Sequence, residues 1–190
     1  SDDATLVDQR LKPYSLALGV MGMPGLTAYA GVHYLGELKP SDVVLVSAAS
    51  GAVGSMVGQY ALNIGCRVIG IAGSDEKCGW LRDVAGFHGT INYKNENLAE
   101  AIKRECPEGV DFYFDNVGGD MLDTVMWQLA IGARVVLCGL MAQYNTDVIP
   151  PGPNPASIIK ARATVRGLVV YDFHDKKQEF LDFTIPLLDE

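Results

Sequence analysis

The stretch Ala49-Ser50-Gly51-Ala52-Val53-Gly54 stands where a β-branched run gives way to an amphipathic one. At a junction of that kind a strand hands its chain to a helix, and each residue type has a physical task. Gly51 leaves the backbone bare enough for a pyrophosphate to approach, and Gly54 lets the helix lie close against the strand. Together with Ala52 and Val53 they open a helix whose free amides offer a positive end to anionic oxygens. The pattern is a dinucleotide fingerprint with its first glycine replaced by Ala49. A plain structural turn would also carry two glycines; the position between strand and helix is what favours a nucleotide.

The next strand-like run ends in Ala72-Gly73-Ser74. A tip that recognises NAD carries Asp or Glu for the ribose hydroxyls. Here Asp75 and Glu76 come later, in the first turn of a helix, where acids complement the helix dipole. A tip without a carboxylate admits a further phosphate, toward which Ser74 offers a hydroxyl and Lys77 a charge. NADP is therefore expected over NAD, with Lys77 as an ordinary solvated lysine the alternative. Two later runs end in Phe114-Asp115-Asn116-Val117-Gly118-Gly119 and Cys138-Gly139-Leu140. Strand tips of an open parallel sheet face its ligand, so Asn116 is either a polar contact there or a turn residue before two glycines.

Other chemistries find no footing. His33, His88 and His174 have no Ser, Cys or carboxylate partner at an informative spacing, and no hydrolase triad can be assembled. Cys66, Cys78, Cys106 and Cys138 are isolated, which points to free thiols, no disulfide framework and no metal site.

The elements that must position these residues follow from periodicity. Apolar, β-branched runs at 43–49, 67–72, 90–93, 110–116, 134–140 and 164–170 read as six strands, several of them covered on both faces. Between them, Val53, Val57, Ala61 and Ile64 share one helical face, as do Leu122, Val125, Met126 and Leu129. Gly65, Gly86 and Gly132 read as left-handed helix ends, and Ser74 as an N-cap. A helix is expected to enter at Pro24, a shaped proline loop at 149–155, a short helix at 156–161 and a longer one at 176–188. The fold class is α/β: a Rossmann doubly wound parallel sheet of about six strands with helices on both faces.

At 190 residues, 48% of them hydrophobic, the chain is long enough for a full core. Fifteen basic against 23 acidic residues give a net charge of −8, which argues against nucleic acid and anionic membrane as partners. Apolar stretches are too short and glycine-rich to cross a bilayer, and the start Ser-Asp-Asp-Ala is no signal peptide. A soluble, cytoplasmic protein is expected, and a homodimer is admitted.

In order and spacing, Gly22-Met23-Pro24-Gly25-Leu26-Thr27-Ala28-Tyr29, Ala48-Ala49-Ser50-Gly51-Ala52-Val53-Gly54-Ser55, Gly73-Ser74-Asp75-Glu76-Lys77-Cys78, Asn92-Tyr93-Lys94 and Phe114-Asp115-Asn116-Val117-Gly118-Gly119 resemble the zinc-independent medium-chain dehydrogenases/reductases. The nearest branch is the leukotriene B4 12-hydroxydehydrogenase, prostaglandin reductase and 2-alkenal reductase group, with its curcumin-reductase-like members. The resemblance implies NADPH-dependent reduction of the C=C bond of an α,β-unsaturated ketone or aldehyde, a small-molecule enone. It further implies that Ser50 to Gly54 meet the pyrophosphate, Lys77 the extra phosphate and Tyr93 the adenosine end. Asn116 with Cys138, Gly139, Leu140 and Tyr144 would follow the remaining length, and Leu168, Val169 and Val170 the nicotinamide.

Many members carry a tyrosine in the short helix after the proline loop. The alignment places Lys160 there, as a candidate charge for a developing enolate oxygen, with Tyr171 a neighbouring candidate. Residues 1–22 would lead in from a catalytic domain outside this chain, and 23–190 would form the NADP-binding domain; alone, that domain is expected to bind cofactor without turnover. The alternatives are the cofactor domain of a zinc alcohol dehydrogenase or quinone oxidoreductase, and an S-adenosylmethionine-binding or interaction-only Rossmann module.

Overall fold

A computed structural model describes residues 6–146 and 151–188. Six parallel strands form one sheet: β1 (Val43–Val46), β2 (Arg67–Ala72), β3 (Gly89–Asn92), β4 (Val110–Asp115), β5 (Leu129–Leu137) and β6 (Thr164–Gly167). Their spatial order is β3-β2-β1-β4-β5-β6. The chain winds outward from β1 to β3, then crosses back to β4 and winds the other way. The neighbouring tips of β1 and β4 thus form the switch point where such sheets take their ligands.

Both faces are covered because the central strands are apolar on both. Val44 and Val46 of β1 and Phe112 and Phe114 of β4 face one core with α1 (Met23–Ala30), α2 (Ala52–Ile64), α3 (Asp75–Asp83) and α7 (Lys177–Thr184). Leu45 and Tyr113 face the other, with α4 (Leu98–Glu105), α5 (Gly119–Met126) and α6 (Pro155–Ala161). The expected doubly wound architecture stands. Leu11 and Met21, in the stretch read as a lead-in, are buried in the first core. From Ala30 the backbone passes directly into one wider turn of π-helix, Gly31–Gly36, which fits because Gly31 lies against the Phe114 ring, where a Cβ would sit 2.3 Å away.

Several boundaries move for local reasons. β1 stops at Val46 rather than at residue 49, because Ser47 turns into β4 and Ala48 takes a positive φ of 47°. β5 begins earlier than expected, at Leu129, and its register against β4 shifts between Val110 and Phe112. Leu129 is therefore a strand residue, and Gly132, at φ 80°, bends that irregular strand instead of ending a helix. Gly65 does end α2 in the left-handed region, and the Ser74 hydroxyl caps α3 by accepting from the Lys77 amide at 3.3 Å. Gly86 keeps a left-handed φ of 73°, but α3 has already ended, with Val84 as its cap. The expected C-terminal helix is three pieces, a 3-10 run Val170–Lys176, then α7, then a 3-10 turn Ile185–Leu188, since Pro186 has no amide to continue the α pattern. Of the proline loop, 149 and 150 lie outside the described residues, as do 1–5, 147–148 and 189–190. Among the described residues no helix is long and apolar enough to cross a membrane.

Candidate functional site

The carboxyl tips of β1 to β5 open into one groove of about 770 Å³, a size at which cofactors are held. Its lining comes from every tip: Ala48, Ser50 and Gly51 after β1, Ala72, Gly73 and Lys77 after β2, Tyr93 and Lys94 after β3, Val117 and Gly118 after β4, and Met141 and Ala142 after β5. A smaller cavity of about 320 Å³ lies between α2 and the last turn of the chain, and no charged side chain lines it. The groove is the chemically equipped one.

The turn after β1 explains its own sequence. Ala49 replaces the first glycine of the fingerprint without strain because its methyl packs over Gly70, where an added Cβ would come within 2.9 Å. A Cβ on Gly54 would lie 2.5 Å from the Ala48 carbonyl and 2.9 Å from the Ala49 Cα, so helix and strand approach too closely for any side chain. A Cβ on Gly51 would meet only the Ala48 carbonyl, at 3.1 Å, and otherwise point to open space. Gly54 thus serves packing and Gly51 serves the groove. Ala52 is exposed at the start of α2, and Val53 packs on the core.

Two lysines line the groove beside the tips of β2 and β3. Lys77 and Lys94 both line the groove, and neither forms an ion pair among the described residues. The Tyr93 ring and the Lys94 stem come within about 3.4 Å of where a Gly73 Cβ would be, so Gly73 leaves the room they close over. Asp75 is turned away: its carboxylate accepts from Asn92 Nδ2 at 2.6 Å and from Asn95 Nδ2 at 3.2 Å, bracing the loop that carries Tyr93 and Lys94. Among the described residues that line the groove beside β2 and β3, none is a carboxylate. Lys94, adjacent to Tyr93 in sequence, is the residue the sequence reading missed; its place directly after an expected strand end was the available signal.

Beyond β4 the side chains behave differently. Asn116 is buried, its Nδ2 donating to the Ser47 carbonyl at 2.8 Å, so this amide braces two strand tips and the turn-residue reading fits it better than a ligand contact. Cys138 and Gly139 hang by their amides from the Asp115 carbonyl, at 2.8 and 3.1 Å. Burial pushes the Cys138 thiol up to about 11, which keeps it protonated near neutrality. Leu140 and Tyr144 are exposed, the Tyr144 hydroxyl accepting from the Leu140 amide at 3.4 Å.

The remaining candidates are not brought to the groove lining. Leu168 puts its side chain into the first core beside Gly31, Val170 is half-buried there, and Val169 is exposed. The Leu168 side chain therefore serves packing on the first core. The Lys160 reading is corrected. It stands at the far end of α6 and donates to the Trp127 carbonyl at 3.2 Å, over the Trp127 ring. Trp127 precedes β5, so this ammonium lies at the amino end of the sheet while the groove lies at the carboxyl end. Tyr171 is exposed and meets His174 edge-on.

All four cysteines are free, and among the described residues no group of three or more His, Cys, Asp or Glu side chains is placed to hold a metal ion. A family model described as zinc-binding dehydrogenase matches residues 52–185. Over 175 residues the chain is 43% identical to the NADP(+)-dependent 2-alkenal reductase of Nicotiana tabacum, covering 92% of this chain and 51% of that protein. Over 185 residues it is 38% identical to the NADPH-dependent curcumin reductase of Escherichia coli (strain K12), covering 94% and 54%. The crystal structure of CurA from Vibrio vulnificus in complex with NADPH matches with a TM-score of 0.91 at 43% identity, covering 100% of this chain and 58% of that one. The chain spans about half the length of the curated relatives it matches. By these matches the chain belongs to the zinc-binding dehydrogenase family, and within it to the zinc-independent group of alkenal, prostaglandin and curcumin reductases.

Proposed function

We propose that the groove holds NADPH and that the intact protein reduces the C=C bond of α,β-unsaturated ketones or aldehydes. The observation that carries this reading is the pair of unpaired ammonium groups, Lys77 and Lys94, beside a β2 tip free of carboxylates. A ribose phosphate is the ligand feature that such a tip favours, and a bare ribose diol is the one it lacks an acceptor for. The residues present fit the cofactor: Gly51 leaves open space at the start of α2, whose first amides point toward an anion. Tyr93 closes the adenosine end over Gly73, and Val117, Gly118, Met141 and Ala142 wall the other end. When bound, NADPH supplies a hydride to the enone β-carbon. The chain's own part is to hold the dinucleotide extended across the switch point. The relatives named NADPH-dependent curcumin reductase and NADP(+)-dependent 2-alkenal reductase support both cofactor and substrate class.

A homodimer and a cytoplasmic location belong to the same reading. β6 is the last strand of the sheet and has a free edge among the described residues, the kind of edge a second copy can pair with. The test of the reading is NADPH consumption by the intact protein with 2-nonenal. Saturation of the double bond with the aldehyde retained is expected; alcohol oxidation without enone reduction would favour a zinc alcohol dehydrogenase instead.

A further inference from the structure

We propose that Asp115 is the positioning residue for the half of the groove built on β4 and β5, the half that receives the nicotinamide. The proposal rests on the NADPH reading. Asp115 is fully buried at the tip of β4 and pairs with no cation among the described residues. Its carboxylate accepts from four donors: the Tyr113 hydroxyl at 2.7 Å, the Ser47 hydroxyl at 3.0 Å, and the amides of Val117 and Gly118 at 3.1 and 3.0 Å. All four donors reach Oδ1, and the Gly118 amide is shared with Oδ2, so an amide in its place would turn one N–H toward the Gly118 amide. Burying an ion this way costs more than apolar packing would, and the geometry shows what it fixes.

Three groove-lining segments hang on residues 115–117. Ser47, at the β1 tip, accepts from the Asn116 amide at 2.8 Å while donating to Asp115. The carboxylate itself sets the turn through Val117 and Gly118, Gly118 standing at φ 71°. From the β5 tip, the Met141 amide donates to the Asn116 carbonyl at 3.3 Å and the Ala142 amide to the Val117 carbonyl at 3.0 Å. Lys77, Tyr93 and Lys94 share none of these bonds. Asp115 therefore controls one half of the groove and leaves the adenosine half alone.

The test measures Kd for two probes in the wild-type chain and in Asp115→Asn and Ser47→Ala. NADPH spans the whole groove, whereas adenosine 2′,5′-bisphosphate occupies only the phosphorylated adenosine half. Each variant is expected to weaken NADPH about tenfold or more and to leave adenosine 2′,5′-bisphosphate within about twofold. Should Asp115→Asn fail to fold, Ser47→Ala decides alone. An equal loss of both probes makes the network scaffold only, and unchanged NADPH affinity removes it from the site; either result overturns the proposal. A wild-type chain that binds neither probe overturns the NADPH reading itself, before any variant is made.

Discussion

The turn after β1 and the turn after β4 lie side by side at the switch point, and they are held by different means. The first is shaped by what is missing: Gly54 lets α2 touch the Ala48 carbonyl, and Gly51 leaves the space above it open. The second is shaped by what is buried, a carboxylate collecting four donors and tying the tips of β1 and β5 to its own strand. Both turns face the same groove. Close backbone approach can be written into two glycines at fixed spacing, whereas a hydrogen-bonded hub needs partners from distant strands. A change at one therefore acts locally, and a change at the other spreads to three segments.

The glycine turn gives the largest expected effect. Gly54→Val forces a side chain into backbone contact at 2.5 Å, which should cost about 3 kcal/mol and lower the Tm by roughly 6 to 12 °C, read by circular dichroism. Gly51→Val should keep most of the stability and abolish NADPH binding, a loss of about 100-fold or more by titration. A larger Tm drop for Gly51→Val than for Gly54→Val would reverse the roles assigned to the two glycines. Next come the charges at the β2 and β3 tips. Lys77→Ala should weaken NADPH about tenfold to 100-fold with little change for NADH, as expected for one charged contact. Lys94→Ala should do the same to a smaller degree, about threefold to tenfold; equal losses for both cofactors would move either lysine away from the phosphate. The smallest effect belongs to Lys160→Met, which removes an exposed contact to Trp127. Cofactor affinity should be unchanged and stability altered by less than about 0.5 kcal/mol. A clear loss of NADPH affinity would bring Lys160 back to the site.

The same contrast sets what could be read before the structure. The six strands, the two-sided burial of the central ones, the Ser74 cap and the glycine turn were legible because each is encoded within a few neighbouring residues. Lys77 was placed at the groove by a strand end, and Tyr93 by the family resemblance. The early start of β5 was not legible, since Leu129 continues the helical spacing of Leu122 and Val125 and only pairing with Val110 makes it a strand. Lys160 misled for a related reason. Alignment to a family position says which helix carries it, and the contact with Trp127 that turns it toward the amino end of the sheet is tertiary. Asn116 showed its polarity in the sequence, but its partner, the Ser47 carbonyl, lies 69 residues away.

Calorimetric titration of the chain with NADPH, NADH and S-adenosylmethionine decides whether the strand-tip groove recognises the phosphorylated ribose of NADPH. One NADPH should bind per chain, at least about tenfold more tightly than NADH, with the difference shrinking as salt screens Lys77 and Lys94, and S-adenosylmethionine should not bind measurably. Equal affinity for NADPH and NADH, or tighter binding of S-adenosylmethionine than of either, would contradict that recognition.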